Sequence, residues 1–216
     1  ILDRSVKLLK ANGGGLYLLD SAKSSLKLVA ASNMSADFEG RSYEIGPSVI
    51  GQVVNTKRPY RVSNYRNWPH RLQGYDTLNF TAVVAVPIMW QEQIWGVITV
   101  RDVQEGREFS QEEEDLLVLL GNLAAIALEN SRQHETLERL MESAIHAIIA
   151  INEDGTILSC NEQAEKLLGY TISELIGRPV ETLYFLSEDA RIIKKRMLTS
   201  KNGRMTDHST YIRSKT

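Results

Sequence analysis

The chain has 216 residues, enough for one large domain or two small ones. Hydrophobic residues make up 43% and charged residues 24%, and the net charge is −2, a balance that argues against a general nucleic-acid binder. No run approaches the ~18–20 apolar residues of a membrane-spanning helix, and the single cysteine, Cys160, excludes an internal disulfide framework and a cysteine-rich zinc site.

A short helical pattern over residues 5–10 is broken by Asn12-Gly13-Gly14-Gly15. A glycine run cradles phosphate where it opens a helix. This one precedes a strand at 16–19, so it reads as a helix stop and turn. Alternation predicts a strand over 24–31, and a short helix (48–55) and a short strand (59–62) follow. Two stronger strands, 82–90 and 93–100, are separated only by Gln91-Glu92 and read as an antiparallel hairpin. Pro87 lacks an amide donor and suits an edge or bulge.

A long helix begins at Ser110, a good N-cap with Glu113 three residues on. No proline interrupts 110–147. Leu116, Leu120, Leu123, Ala127, Asn130, His134, Leu137, Met141 and Ala144 are spaced alternately four and three apart, an a/d heptad seam. Asn130 and His134 are polar at adjacent seam positions, which lowers stability and fixes register. The seam predicts a parallel homodimer whose helix relays a change between two halves. The alternative is that residues 116–127 pack on their own sheet.

The second half starts near residue 143. Strands at 147–151 and 156–160 flank Asn152-Glu153-Asp154-Gly155, whose Asp-Gly is a hairpin turn. Asn161 caps a helix ended by Gly169, and Thr171 with Glu174 caps another. An amphipathic helix over 187–200 and a strand over 206–212 complete the order β-β-α-α-α-β.

Two family resemblances rest on these residues. Ile50-Gly51-Gln52-Val53-Val54 followed by Pro59, then VVAVPI at 83–88, Gly96-Val97-Ile98, Phe109-Ser110 and AAIALEN at 124–130 together resemble a GAF domain. Asp154-Gly155, Asn161, Ala164, Leu168-Gly169-Tyr170 and Glu174-Leu175-Ile176-Gly177 resemble a PAS domain. The resemblance implies an α+β chain with two antiparallel-sheet sensory domains. One is GAF-like (1–130) and one PAS-like (143–216), joined by a connecting helix (110–147) that overlaps the end of the first. It also implies the cytoplasmic input end of a signalling protein, most often a histidine kinase, less often a diguanylate cyclase or a transcriptional regulator. The family pattern expects two more central strands after Thr216, and Ile1 falls inside the first GAF helix. A fragment of a longer chain is therefore expected, with the catalytic part and the output domain outside it.

The chemistry such families carry is then tested residue by residue. His70, His134, His146 and His208 sit in no H-E-x-x-H or G-x-S-x-G arrangement, so no catalysis is expected within this chain. His134-Glu135-Thr136-Leu137 lacks the proline that follows a kinase phospho-acceptor. Covalent bilin is excluded because the loop at 63–80 has His70 behind Pro69 and no cysteine. Arg101-Asp102, Phe109 and Glu113-Glu114 echo the cyclic-nucleotide GAF pattern only in part, since its Asn-Lys pair is missing. Val180 stands where a flavin-adduct cysteine would. The haem-ligand position falls near Asn202, and His208 lies further on. GAF relatives that reduce methionine sulfoxide use several cysteines, and the first half has none. Neither a cofactor nor a metal is expected, and Cys160 reads as a small apolar filler.

One stretch remains. The loop at 63–80 gathers Tyr65, Trp68, His70, Arg71, Tyr75 and Phe80. A long irregular loop with aromatic rings and a few polar groups suits a small-molecule pocket, which GAF domains commonly wall with this region. The alternative is that the rings cover the sheet with nothing bound.

Overall fold

The computed structural model describes residues 1–20, 22–33, 38–72, 79–185, 188, 191–193 and 211–215. They divide into two compact units, Ile1–Ser131 and Arg132–Thr216. The strands of the first unit are β1 (Gly13–Leu19), β2 (Ser25–Ser32), β3 (Ser42–Glu44), β4 (Tyr60–Val62), β5 (Ala82–Trp90) and β6 (Gln93–Asp102). They form one antiparallel sheet in the order β3-β2-β1-β6-β5-β4. Helices α1 (Leu2–Leu8) and α2 (Val49–Thr56) precede the long helix α3 (Gln111–Ser143).

Alternation along the strands divides the core between two faces. On one, Val83, Ala85 and Val97 meet Val49, Ile50 and Val53 of α2. On the other, Val84, Val86 and Ile98 meet Leu2 and Val6 of α1 and Leu117 of α3. The β5–β6 hairpin turns through Gln91 and Glu92, both at positive φ, with Trp90 paired to Gln93. Pro87 lies beyond Ala85, the last β5 residue paired with β4, and just before a bulge at Ile88/Met89, where a missing donor is tolerated.

The glycine run differs from its reading as a turn. The turn comes earlier, with Lys10 at positive φ, and all three glycines belong to β1. A Cβ on Gly14 would stand 2.5 Å from the Thr99 carbonyl oxygen, and one on Gly13 2.7 Å from that of Ser32 and 2.9 Å from Arg101 Nη2. The run is there because neighbouring backbone and the Arg101 side chain approach too closely for any side chain. Gly51 works the same way in α2. Ser48 Oγ accepts the Gly51 N–H at 3.3 Å, and a Cβ on Gly51 would lie 2.0 Å from the Gly46 carbonyl oxygen.

α3 starts as its sequence requires. Glu113 Oε2 accepts the Ser110 N–H at 2.8 Å and Ser110 Oγ accepts the Glu113 N–H at 3.2 Å, a complete capping box. Arg61 of β4 fastens this first turn. It donates to the Phe109 carbonyl and to Gln111 at 2.9 Å each and pairs with Glu114 at 2.7 Å. Arg107 pairs with Glu113. Burial alone would raise the Glu113 carboxyl, but the Arg107 guanidinium and the Ser110 amide outweigh it and hold its pKa below the ordinary value. The helix ends at Ser143, four residues short of the sequence expectation, because Asn161 takes over the backbone groups that follow.

In the second unit, β7 (Ile149–Ile151) pairs antiparallel with β8 (Ile157–Cys160), and α4 (Glu162–Leu168) and α5 (Ile172–Leu175) pack Ala164, Leu168 and Leu175 against Ile157. The hairpin loop is held by Asn152, whose Oδ1 accepts the Thr156 N–H at 2.8 Å. Residues 211–215 return to this core. Ile212 bridges Tyr184, and the Lys215 N–H donates to the Leu168 carbonyl at 2.8 Å. Most of the helix expected over 187–200 and of the strand expected over 206–212 lies outside the described residues, as does His208.

Two predictions follow from this packing. Gly51→Ala forces a methyl onto the Gly46 carbonyl and is expected to cost about 1–3 kcal/mol. A lowered urea midpoint for the first unit checks this, and an unchanged midpoint contradicts it. In the second unit, Lys215 Nζ lies 2.5 and 2.7 Å from the Glu174 oxygens, and the Thr171 N–H donates to the same carboxylate at 3.0 Å. Lys215 first, then the Thr171 amide, lower the Glu174 pKa from 4.5 to about 2. A carboxyl lowered in the folded state stabilises above its unfolded pKa and loses that contribution as pH falls through the folded value. The stability difference between wild type and Glu174→Gln should thus be full above pH 4.5 and vanish near pH 2. A difference independent of pH contradicts the pairing.

Candidate functional site

The aromatic stretch is built from the sheet outward. The Tyr65 N–H donates to the Thr81 carbonyl at 2.8 Å, setting a single 3-10 turn, Tyr65–Asn67. Tyr65 stacks on Trp68 with centroids 5.9 Å apart, and Phe80 lies 6.1 Å from Tyr65. Trp68 also meets Tyr60 at 6.2 Å, and the His70 ring stands edge-on to it at 5.5 Å. Tyr65 and Phe80 are buried in the α2-side core, with Trp68 packed against it. They fill that face of the sheet. His70 and Arg71 are exposed and line an open cleft, while Tyr75 lies outside the described residues.

Two spaces adjoin this cluster. An inner cavity of about 30 Å³, room for roughly one water, is bounded by Tyr17, Ile50, Tyr65, Phe80, Thr99 and Arg101 among others. An outer cleft of about 700 Å³, within the usual range for ligand pockets, is lined by Arg41, Tyr43, Glu44, Ser48, His70, Arg71 and Leu72 among others. Leu72 borders both, and its N–H points to the Tyr65 hydroxyl at 3.4 Å.

Arg101 is the chemically conspicuous member. It is 4% exposed, its guanidinium lies 4.5 Å over the Phe80 ring, and its Nη2 donates to the Ser32 and Asn33 carbonyls at 3.2 and 3.0 Å. The sequence singled it out only as an echo of a nucleotide motif. A charged residue following the apolar run Ile94–Ile98 on a buried strand was the stronger signal. Arg41 and Tyr43, far away in sequence, gave no local sign of joining His70 and Arg71.

The connecting helix presents a different face to its sheet than the seam. Leu117, Gly121, Ala124 and Ala125 are buried, and a Cβ on Gly121 would touch the Pro87 carbonyl oxygen at 3.0 Å. Of the seam residues, Leu116 and Leu120 are half-buried and Leu123, Ala127, Asn130, His134 and Leu137 are exposed, with Met141 again half-buried. His134 Nε2 lies 3.2 Å from Glu138 on the same helix.

The end of α3 is held in the second unit by Asn161, which is fully buried. Its Oδ1 accepts the Ile148 N–H at 2.9 Å and the Ala164 N–H at 3.1 Å. Its Nδ2 donates to the Met141 carbonyl at 2.9 Å and to the His146 carbonyl at 3.0 Å. Glu142 adds a second tie, accepting the Glu162 N–H at 3.0 Å. The sequence reading found the cap and missed the two donated bonds. Beside Asn161, the Cys160 thiol is pushed up by burial and then by Glu165 and Glu142. Among the described residues no group of three His, Cys, Asp or Glu is placed to hold a metal ion. None of the described helices is long and apolar enough to cross a membrane.

Comparison with known proteins decides the family. A family model described as GAF domain matches residues 1–130, and one described as PAS fold matches residues 135–214. The chain belongs to the GAF domain family. Among solved structures, the GAF domain of a phosphoenolpyruvate-protein phosphotransferase from Coxiella burnetii is 19% identical, with a TM-score of 0.57 over 62% of this chain and 82% of that one. The second GAF domain of DevS from Mycobacterium smegmatis is 17% identical, with a TM-score of 0.54 over 63% and 93%. Free methionine-R-sulfoxide reductase from Neisseria meningitidis is 18% identical, with a TM-score of 0.54 over 62% and 76%. At these identities the likeness is one of fold. A curated relative, an uncharacterized protein of Azorhizobium caulinodans, is 28% identical over 99 residues, 44% of this GAF–PAS chain and 14% of the relative's own length.

Proposed function

We propose that this chain, built from GAF and PAS domains, which are sensory modules of signalling proteins, is the cytoplasmic sensory and dimerisation input of a histidine kinase, non-catalytic in itself. It passes a change from the GAF domain through α3 to the PAS domain and on to an output domain of the same protein. The observation that carries this reading is the continuity of α3. Arg61 and the capping box hold its first turn to the GAF domain, and Asn161 and Glu142 bind its last turn to the PAS core. A change that shifts one end of an unbroken helix acts on the other. The choice of kinase over diguanylate cyclase or transcriptional regulator rests on the family resemblance.

In this reading the outer cleft receives the signal. Arg41 and Arg71 face it against Glu44, the one acid among the described lining residues, which favours a small anion. A ligand there would act on the ring cluster through Leu72 and Tyr65. No resident cofactor is invoked. The test uses the full-length protein, incubated with labelled ATP. Acid-labile, base-stable phosphate on a histidine is expected, with none on residues 1–216 alone. A full-length protein that takes up no such label contradicts the kinase assignment.

A further inference from the structure

The helix carries a second heptad seam, one position round from the first. Leu119, Leu123, Ile126, Leu137 and Leu140 each leave 46–62% of their surface exposed. With Asn130 and Gln133 they are spaced four and three apart, as a/d positions are. The a column is Leu123, Asn130 and Leu137, and the d column is Leu119, Ile126, Gln133 and Leu140. This seam shares the column of Leu123, Asn130 and Leu137 with the one through Leu120, Ala127, His134 and Met141. The two differ by roughly 50° of rotation about the helix axis, half the angular step of a 3.5-residue turn.

We infer that a second copy of this chain docks in parallel along the Leu119–Leu123–Ile126 seam. This rests on the dimeric reading above and specifies its interface. Two observations choose between the seams. In the first seam the flanking e positions are Leu117 and Ala124, both buried against the chain's own sheet, so a partner helix would have to lie where the sheet lies. In the second, the flanking positions are the half-buried Leu120 and exposed Ala127 on one side and exposed Asn122 and half-buried Glu129 on the other; none is buried against the sheet, and Ala127 only borders a cleft with Leu16 and Ala30. The second observation is Asn130. It falls at an a position only in this seam, the place where a buried asparagine selects a parallel, in-register pair. Charge agrees, since Glu129 at g faces His134 at e of the partner and no like-charged pair arises between g and e.

Variants of the whole chain that each add one cysteine separate the possibilities. The native Cys160 is buried and supplies the blank. Ile126→Cys places thiols face to face across the two-fold axis, whereas Ala127→Cys places them on its flank. Under mild oxidation Ile126→Cys is expected to form a covalent dimer on the order of tenfold faster than Ala127→Cys. Equal rates, or a faster Ala127→Cys, overturn this seam and leave the dimer standing. Absence of both products is read against sedimentation of the wild type at high micromolar concentration. A dimer there places the interface elsewhere and overturns the seam alone. A monomer overturns the dimeric reading and the seam together.

Discussion

The four hydrogen bonds of the Asn161 side chain are the constraint on which the connection between the domains depends. A primary amide has two acceptor and two donor positions of use, and here all four meet backbone groups in a site without solvent access. Losing a donor would remove a bond to a part-buried carbonyl, a net loss of about 0.5–1.5 kcal/mol. The bonds decide where α3 stops and where β7 starts, and they cap α4. Three elements of the PAS domain therefore share one side chain, and one of them is the helix that begins on the GAF sheet.

The other end of α3 is fixed by charge as well as by packing. Three glutamates occupy its first turn, and Arg61 and Arg107 answer two of them. Small residues, Gly121 and two alanines, let the helix lie close to the sheet. That leaves Leu119, Leu123, Ile126, Leu137 and Leu140 exposed. Within the GAF domain Tyr65 and Phe80, with Trp68 packed on them, belong to the core of the α2-side face, while His70 lines the cleft. The open cleft beside them carries Arg41 and Arg71 with Glu44 on its wall.

Much of this was legible because it is local. Ser48, Ser110 with Glu113, Asn161 and the Gln91-Glu92 turn act on residues within a few positions, and their chemistry is written in the spacing. What the spacing could not supply depends on distant partners. The glycines of β1 answer to Thr99, Ser32 and Arg101. Strand β3 has three residues and no apolar alternation to announce it. Periodicity finds an apolar helix face but cannot tell which side the chain's own sheet will cover, here the row of Leu117, Gly121, Ala124 and Ala125. Asn161 was readable as a cap, since that bond runs three residues ahead, while its bonds to Met141 and His146 run back across a hairpin. Tyr65 and Phe80 were placed in the right neighbourhood, with their burial decided by α2.

The most direct measurement of the coupling is hydrogen exchange on Asn161→Asp. This variant keeps acceptor oxygens for Ile148 and Ala164 and sets an oxygen where the amide donates to Met141 and His146. The last turn of α3 and residues 144–145 should exchange at least several-fold faster, and by more than any change in α4 and β8, since lost donors lower the local opening free energy. Unchanged protection in that turn would contradict the view that Asn161 fastens the helix to the PAS domain.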